Sequence, residues 1–92
     1  MKIKYSKRSL KFLSKQDSST VLRIRTAIKK LTYSPPEGDI KAMQGSGKGK
    51  IRLRVGSYRI IYWYLEEVEK ADNKVIEILF IDEIGNRGDI YK

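Results

Sequence analysis

Lys50-Ile51-Arg52-Leu53-Arg54-Val55-Gly56-Ser57-Tyr58-Arg59-Ile60-Ile61-Tyr62 reads as two strand-like runs joined by a Gly56-Ser57 turn. Side chains alternate along a strand, so Lys50, Arg52 and Arg54 leave one face while Ile51, Leu53 and Val55 leave the other. The apolar set marks the buried side of a sheet. The basic set repels itself and contributes no packing, so an anionic partner is expected against it. Arg59 joins this face only if the hairpin register brings it there.

Working outward, Lys2 to Tyr5 alternates like a strand, with Ile3 and Tyr5 on one side. Ser6 is a good N-cap for a helix from about Lys7 to Lys15, whose apolar positions are Leu10, Phe12 and Leu13. One of Asp17, Ser18 and Ser19 caps a second helix reaching about Thr32. Val21, Ile24, Ala27, Ile28 and Leu31 form its apolar stripe, with Arg23, Lys29 and Lys30 off it. The two helices are expected to pack as a hairpin on a sheet. Ser34-Pro35-Pro36 ends the helical region, because a residue before proline avoids helix.

Gly45 to Gly49 reads as a loop carrying Lys48 into the basic strand. A Walker-type phosphate loop is rejected, since its spacing before a helix is absent. Strands are expected at Arg59 to Leu65 and at Lys74 to Ile84, joined by a charged turn. Ile76, Ile78, Phe80 and Ile84 are assigned to the helix-facing side, and Gly85 to the strand's end. The resulting expectation is an α+β fold over residues 1–92 as one domain: an N-terminal strand, a two-helix hairpin, then an antiparallel three-strand meander in one sheet.

The 92 residues carry a net charge of +9, unevenly placed. Residues 1 to 65 hold sixteen Lys or Arg against three acids; residues 66 to 92 hold four against eight. Ile40 to Leu65 contains no acid, so the basic platform is expected to have none nearby. This asymmetry fits a nucleic acid, an acidic protein partner, or both in turn. With neither Cys nor His, thiol chemistry, zinc–cysteine sites and an imidazole base are excluded. No apolar signal or membrane span is visible, which makes the cytoplasm the expected location.

RNA cleavage suits such a residue set. The substrate's 2′-hydroxyl attacks the adjacent phosphate, and cations stabilise the extra negative charge that develops. Lys50, in its neutral form, is the candidate proton acceptor; Arg52 is a phosphate binder rather than a base. Tyr91 is suited to hydrogen bonding or to stacking on a base. Neither a metal nor a cofactor is called for.

The central stretch and the ending Ile84-Gly85-Asn86-Arg87-Gly88-Asp89-Ile90-Tyr91-Lys92 resemble the RelE/ParE superfamily of bacterial type II toxins. More narrowly, they resemble its RelE branch, the mRNA interferases, and the resemblance spans essentially the whole chain. It implies a RelE-like toxin domain that cuts mRNA in the ribosomal A site, contacting ribosomal RNA and inhibiting translation. It also implies a cognate antitoxin, acidic where it wraps the toxin, and operator DNA bound through the antitoxin complex.

Residue by residue, Lys50 and Arg52 match the family's basic pair on the central strand, with arginine here at a place where lysine is common. Arg54 matches a further phosphate-binding position, and Lys48 is grouped with it as substrate-binding. Arg59 matches the arginine following the tyrosine of the next strand. Arg87 matches the position of the general acid, where an arginine equally neutralises the leaving group. Tyr91 matches the C-terminal tyrosine that stacks on a substrate base. The implied catalytic set is therefore Lys50, Arg52, Arg59, Arg87 and Tyr91. The alternative is a ParE-like inhibitor of DNA gyrase on the same fold.

Overall fold

The computed structural model describes residues 1–43 and 49–86. In chain order the elements are β1 (Lys2–Tyr5), α1 (Lys7–Ser14), α2 (Ser18–Lys29), a 3-10 turn (Lys30–Thr32), β2 (Asp39–Ala42), β3 (Ile51–Val55), β4 (Tyr58–Val68) and β5 (Val75–Asn86). The strands form one sheet in the order β1-β5-β4-β3-β2. β1 runs parallel to β5 and the other pairs are antiparallel. The expected α+β architecture is present, with one strand more than the sequence reading assigned. That strand is β2, four residues at the sheet edge soon after the proline segment.

Both caps form as helix-start chemistry requires. The Ser6 side chain accepts from the Ser9 backbone N–H, and the Asp17 carboxylate accepts from the Thr20 backbone N–H at 2.8 Å. Ile24 and Ile28 of α2 and Leu31 of the 3-10 turn that follows it are fully buried, as the stripe predicts, though the α-helix stops at Lys29 short of the expected Thr32. They meet Leu53, Ile60, Tyr62, Leu79, Ile81 and Ile84 of the sheet.

On α1 the reading needs a correction. Leu10 is 49% exposed, while Ser9 is completely buried. A hydroxyl succeeds there because it donates to the Ile81 carbonyl at 3.2 Å, and its small size lets α1 lie close to β5.

β5 departs from the reading in a second way. A β-bulge shifts the register between Ile61 and Tyr62, so Ile61 pairs with Glu83 and Tyr62 with Ile81, leaving Asp82 as the extra residue. Ser6 Oγ and Arg8 Nε donate to the Asp82 carbonyl, and Arg8 Nη2 reaches the Asp82 carboxylate at 2.7 Å. Because the bulge reverses the alternation, Ile84 faces the helices together with Ile81 and Leu79, not with Ile78 and Phe80. The latter two leave the opposite face, where Phe80 packs on Trp63. Gly85 does not end the strand either: it pairs with Arg59 inside the ladder, and β5 continues to Asn86.

Candidate nucleic-acid interface

The tight turn determines what shares a face. Gly56 has φ +58, the left-handed conformation that a two-residue hairpin demands and glycine supplies without strain. The hairpin then pairs Val55 with Tyr58, Arg54 with Arg59, Leu53 with Ile60 and Arg52 with Ile61. Arg54 and Arg59 therefore project from the same face, the one opposite the helices, and Arg52 lies beside them. On the outer side β2 places Lys41 opposite Arg52 and Asp39 opposite Arg54. A backbone hydrogen bond from Met43 N–H to the Lys50 carbonyl, 3.0 Å, extends this ladder to Lys50. Lys41, Lys50, Arg52, Arg54 and Arg59 thus make a cationic ladder across three neighbouring strands.

The platform is not free of acids, as the sequence suggested it would be. Asp39 Oδ2 holds Arg54 Nε at 2.8 Å, and Asp39 Oδ1 lies 3.8 Å from Arg52 Nη2. Glu83, opposite Ile61, belongs to the same face and lies 3.6 Å from Arg8. Strand pairing brings these carboxylates in from segments well separated from the basic run. Arg54 also borders a cleft of about 390 Å³ between α2 and the β2–β3 edge, lined by Arg23, Lys30 and Glu37 over an apolar floor of Ala27, Leu53 and Val55.

The five cations differ in what holds them. Arg59 is only 2% exposed, yet no carboxylate pairs with it among the described residues. Its Nη1 donates to the carbonyls of Tyr58 at 3.1 Å and Gly56 at 3.4 Å, and its Nε has no partner. Arg52 is also largely buried, with an orphaned Nε. A buried guanidinium held by backbone carbonyls alone is undercompensated, since removing a full charge from water costs several kcal/mol. Lys50 differs again: its Nζ lies 5.7 Å from the centroid of the Trp63 ring.

Lys50, Arg52, Arg54 and Arg59, expected to act together, are brought together. Lys48, Arg87 and Tyr91 lie outside the described residues. Sequence reasoning missed Lys41, Asp39 and Trp63. The alternation of Asp39 and Lys41 with Ile40 and Ala42 was the available signal for the first two; Trp63 was hidden in an apolar run. Among the described residues, no three His, Cys, Asp or Glu side chains gather where they could hold a metal ion. No described helix is long and apolar enough to cross a membrane.

No protein-family model matches the chain. No curated protein matches it either. Among solved structures, it is similar to one chain of the crystal structure of a RelB–RelE antitoxin–toxin complex from Methanococcus jannaschii. The TM-score is 0.64 at 23% identity, covering 96% of this chain and 94% of that one. The fold is RelE-like. A likeness at this identity concerns the backbone fold alone.

Proposed function

We propose that this chain is the toxin of a toxin–antitoxin pair: one RelE-like domain that cuts mRNA in the ribosomal A site without a metal. The observation that carries the reading is Arg59, a buried cation with no carboxylate partner among the described residues, at the hairpin end of a ladder with Lys50, Arg52 and Arg54. A scaffold gains nothing from that arrangement, whereas a phosphodiester supplies the missing negative charge.

In this reading the substrate's 2′-hydroxyl attacks the adjacent phosphorus as Lys50 takes its proton. Arg59 and Arg52 stabilise the added charge on the phosphate oxygens, and Arg54 with Lys48 holds the flanking backbone. Arg87 neutralises the departing 5′-oxygen, which takes a proton from solvent while Lys50 releases its own there, and Tyr91 stacks on a base, the roles their family positions imply. The products are a 2′,3′-cyclic phosphate and a 5′-hydroxyl, so no external co-reactant is consumed. The same positive face suits an acidic antitoxin segment, which would shield it until released, and the antitoxin complex carries the pair to operator DNA. Messenger and ribosomal RNA place the activity in the cytoplasm.

The test is mRNA integrity in a translating extract. The wild-type chain is expected to cut within coding sequence, and Lys50→Ala and Arg59→Ala to leave the message whole while remaining folded. Intact message with the folded wild-type chain present would reject the reading. A supercoiling assay with DNA gyrase separates it from a ParE-like activity.

A further inference from the structure

Lys50 and Arg54 leave the same strand face but are held by opposite means. Asp39 contacts Arg54 through a carboxylate, which cancels much of the charge an RNA phosphate would feel. No carboxylate pairs with Lys50 among the described residues; its contact is the Trp63 ring at 5.7 Å. Trp63 in turn packs on Phe80, directly opposite it on β5, with ring centroids 5.1 Å apart and planes tilted by 40°. An aromatic face attracts an ammonium through its quadrupole and carries no net charge. It therefore fixes the end of a flexible side chain without the ion pair that would lock it in the ammonium form and bar it from accepting a proton. Phe80 limits the ring's freedom from the other side, and both aromatic residues stand on the two longest strands of the sheet.

From this stack we infer that Trp63 is the positioning residue for Lys50: it holds the amine on the cationic face without tying it to a carboxylate. The inference rests on the proposed cleavage reaction for its consequence, but not for the placement itself. It gives a role to the single tryptophan of the chain, on a face where a large apolar side chain has no helix to pack against.

The test combines a measurement of Lys50 with one of catalysis, in Trp63→Phe and Trp63→Leu chains checked for folding by thermal melting. In the NMR spectrum the Lys50 methylene protons next to Nζ are expected at ring-shifted positions in the wild type and in Trp63→Phe, and at ordinary positions in Trp63→Leu. On programmed ribosomes, Trp63→Leu is expected to lower kcat about tenfold or more through misplacement of the amine, while Trp63→Phe stays within about threefold because a π face remains. Affinity for an uncleavable RNA oligonucleotide with 2′-deoxy substitution is expected to change by less than about twofold in both, since the phosphate contacts are untouched.

Unshifted Lys50 protons in the wild type, or normal kcat in folded Trp63→Leu, overturns the inference. So does a loss of oligonucleotide affinity as large as the loss of rate, which would make Trp63 a base-binding surface. If the wild type cuts no RNA, the cleavage reading fails alone, and the Lys50 ring shift still decides the placement.

Discussion

Arg54 and Arg59 stand directly opposite each other across the β3–β4 hairpin, and among the described residues only Arg54 of the two has a carboxylate, Asp39, at 2.8 Å. Two guanidinium groups on adjacent strands repel each other, so the pair divides the work. Arg54 is partly neutralised and exposed at the rim. Arg59 is buried and held by backbone carbonyls. Stability and anion binding are expected to separate along that line.

Replacing Arg59 by the unbranched apolar Met removes a buried, undercompensated charge while keeping most of the volume. Urea denaturation is expected to show stability unchanged or raised by about 1 kcal/mol. RNA binding and cleavage are expected to drop sharply in the same chain. A strongly destabilised Arg59→Met protein would mean that the guanidinium is a structural tie rather than an anion site.

Asp39→Asn acts on the other member of the pair. The exposed ion pair is worth little, so the melting transition is expected to move by less than about 1 kcal/mol. Freed of the carboxylate, Arg54 and Arg52 are expected to bind an RNA oligonucleotide about threefold more tightly at low salt. Fluorescence anisotropy measures this, and weaker binding by Asp39→Asn contradicts the assignment of the face.

Salt dependence counts the phosphates engaged. With roughly four cations contacting single-stranded RNA, log affinity against log salt is expected to fall with a slope of about −3, and Arg54→Ala to reduce it by about 0.7. A slope near zero for the wild type would remove the case for a phosphate-binding ladder.

The turn itself is testable. Gly56→Ala forces a left-handed φ onto a residue with a side chain, and the new Cβ would lie 2.6 Å from the Arg23 Nη2 atom. The guanidinium end is flexible and moves aside, so the backbone term dominates. A loss of about 1–2 kcal/mol is expected by urea denaturation.

At high pH the two helix-facing tyrosines set the trend. Burial pushes the Tyr62 hydroxyl well above its ordinary value of 10.0, with Tyr64 adding to the shift. Burial, then Glu77, moves Tyr64 the same way. Above about pH 10 the unfolded chain releases these protons while the folded chain keeps them, so stability falls as pH rises toward the folded values and is unaffected below. Tyr62→Phe is expected to flatten that fall in denaturation curves between pH 9 and 11, estimated as the region about the ordinary phenol value. Tyr64→Phe additionally loses the hydroxyl's 2.7 Å bond to the Leu31 carbonyl, about 1 kcal/mol at neutral pH.

Much of this was legible in one dimension. Lys50, Arg52 and Arg54 share a face because alternation is local, and Ile24, Ile28 and Leu31 are buried because helical spacing is local. Arg59 needed only the two-residue turn to be placed. Ile78 and Phe80 were assigned to the wrong side because Asp82 is a bulge. A bulge is an event between strands, and its stabilising partners Ser6 and Arg8 lie more than seventy residues earlier. Asp39 escaped the charge count for the same reason: neutralisation of Arg54 depends on a strand pairing that proximity along the chain does not reveal. In sequence Trp63 is one more residue of an apolar run, and only strand pairing puts Lys50 over its ring.

The parallel pairing of β1 with β5 has a consequence for the order of assembly. Lys2–Tyr5 finds its hydrogen-bonding partner only in Ile78–Ile81, nearly the full length of the described chain away. During synthesis the first strand therefore emerges long before its neighbour exists, while the β3–β4 hairpin, with its cations, can close locally. Strand β5 completes the sheet on two sides at once, joining β1 to β4 and placing Phe80 behind Trp63. A nascent chain would thus carry the charge of the ladder early and the arrangement of its lysine late, a delay written into strand order.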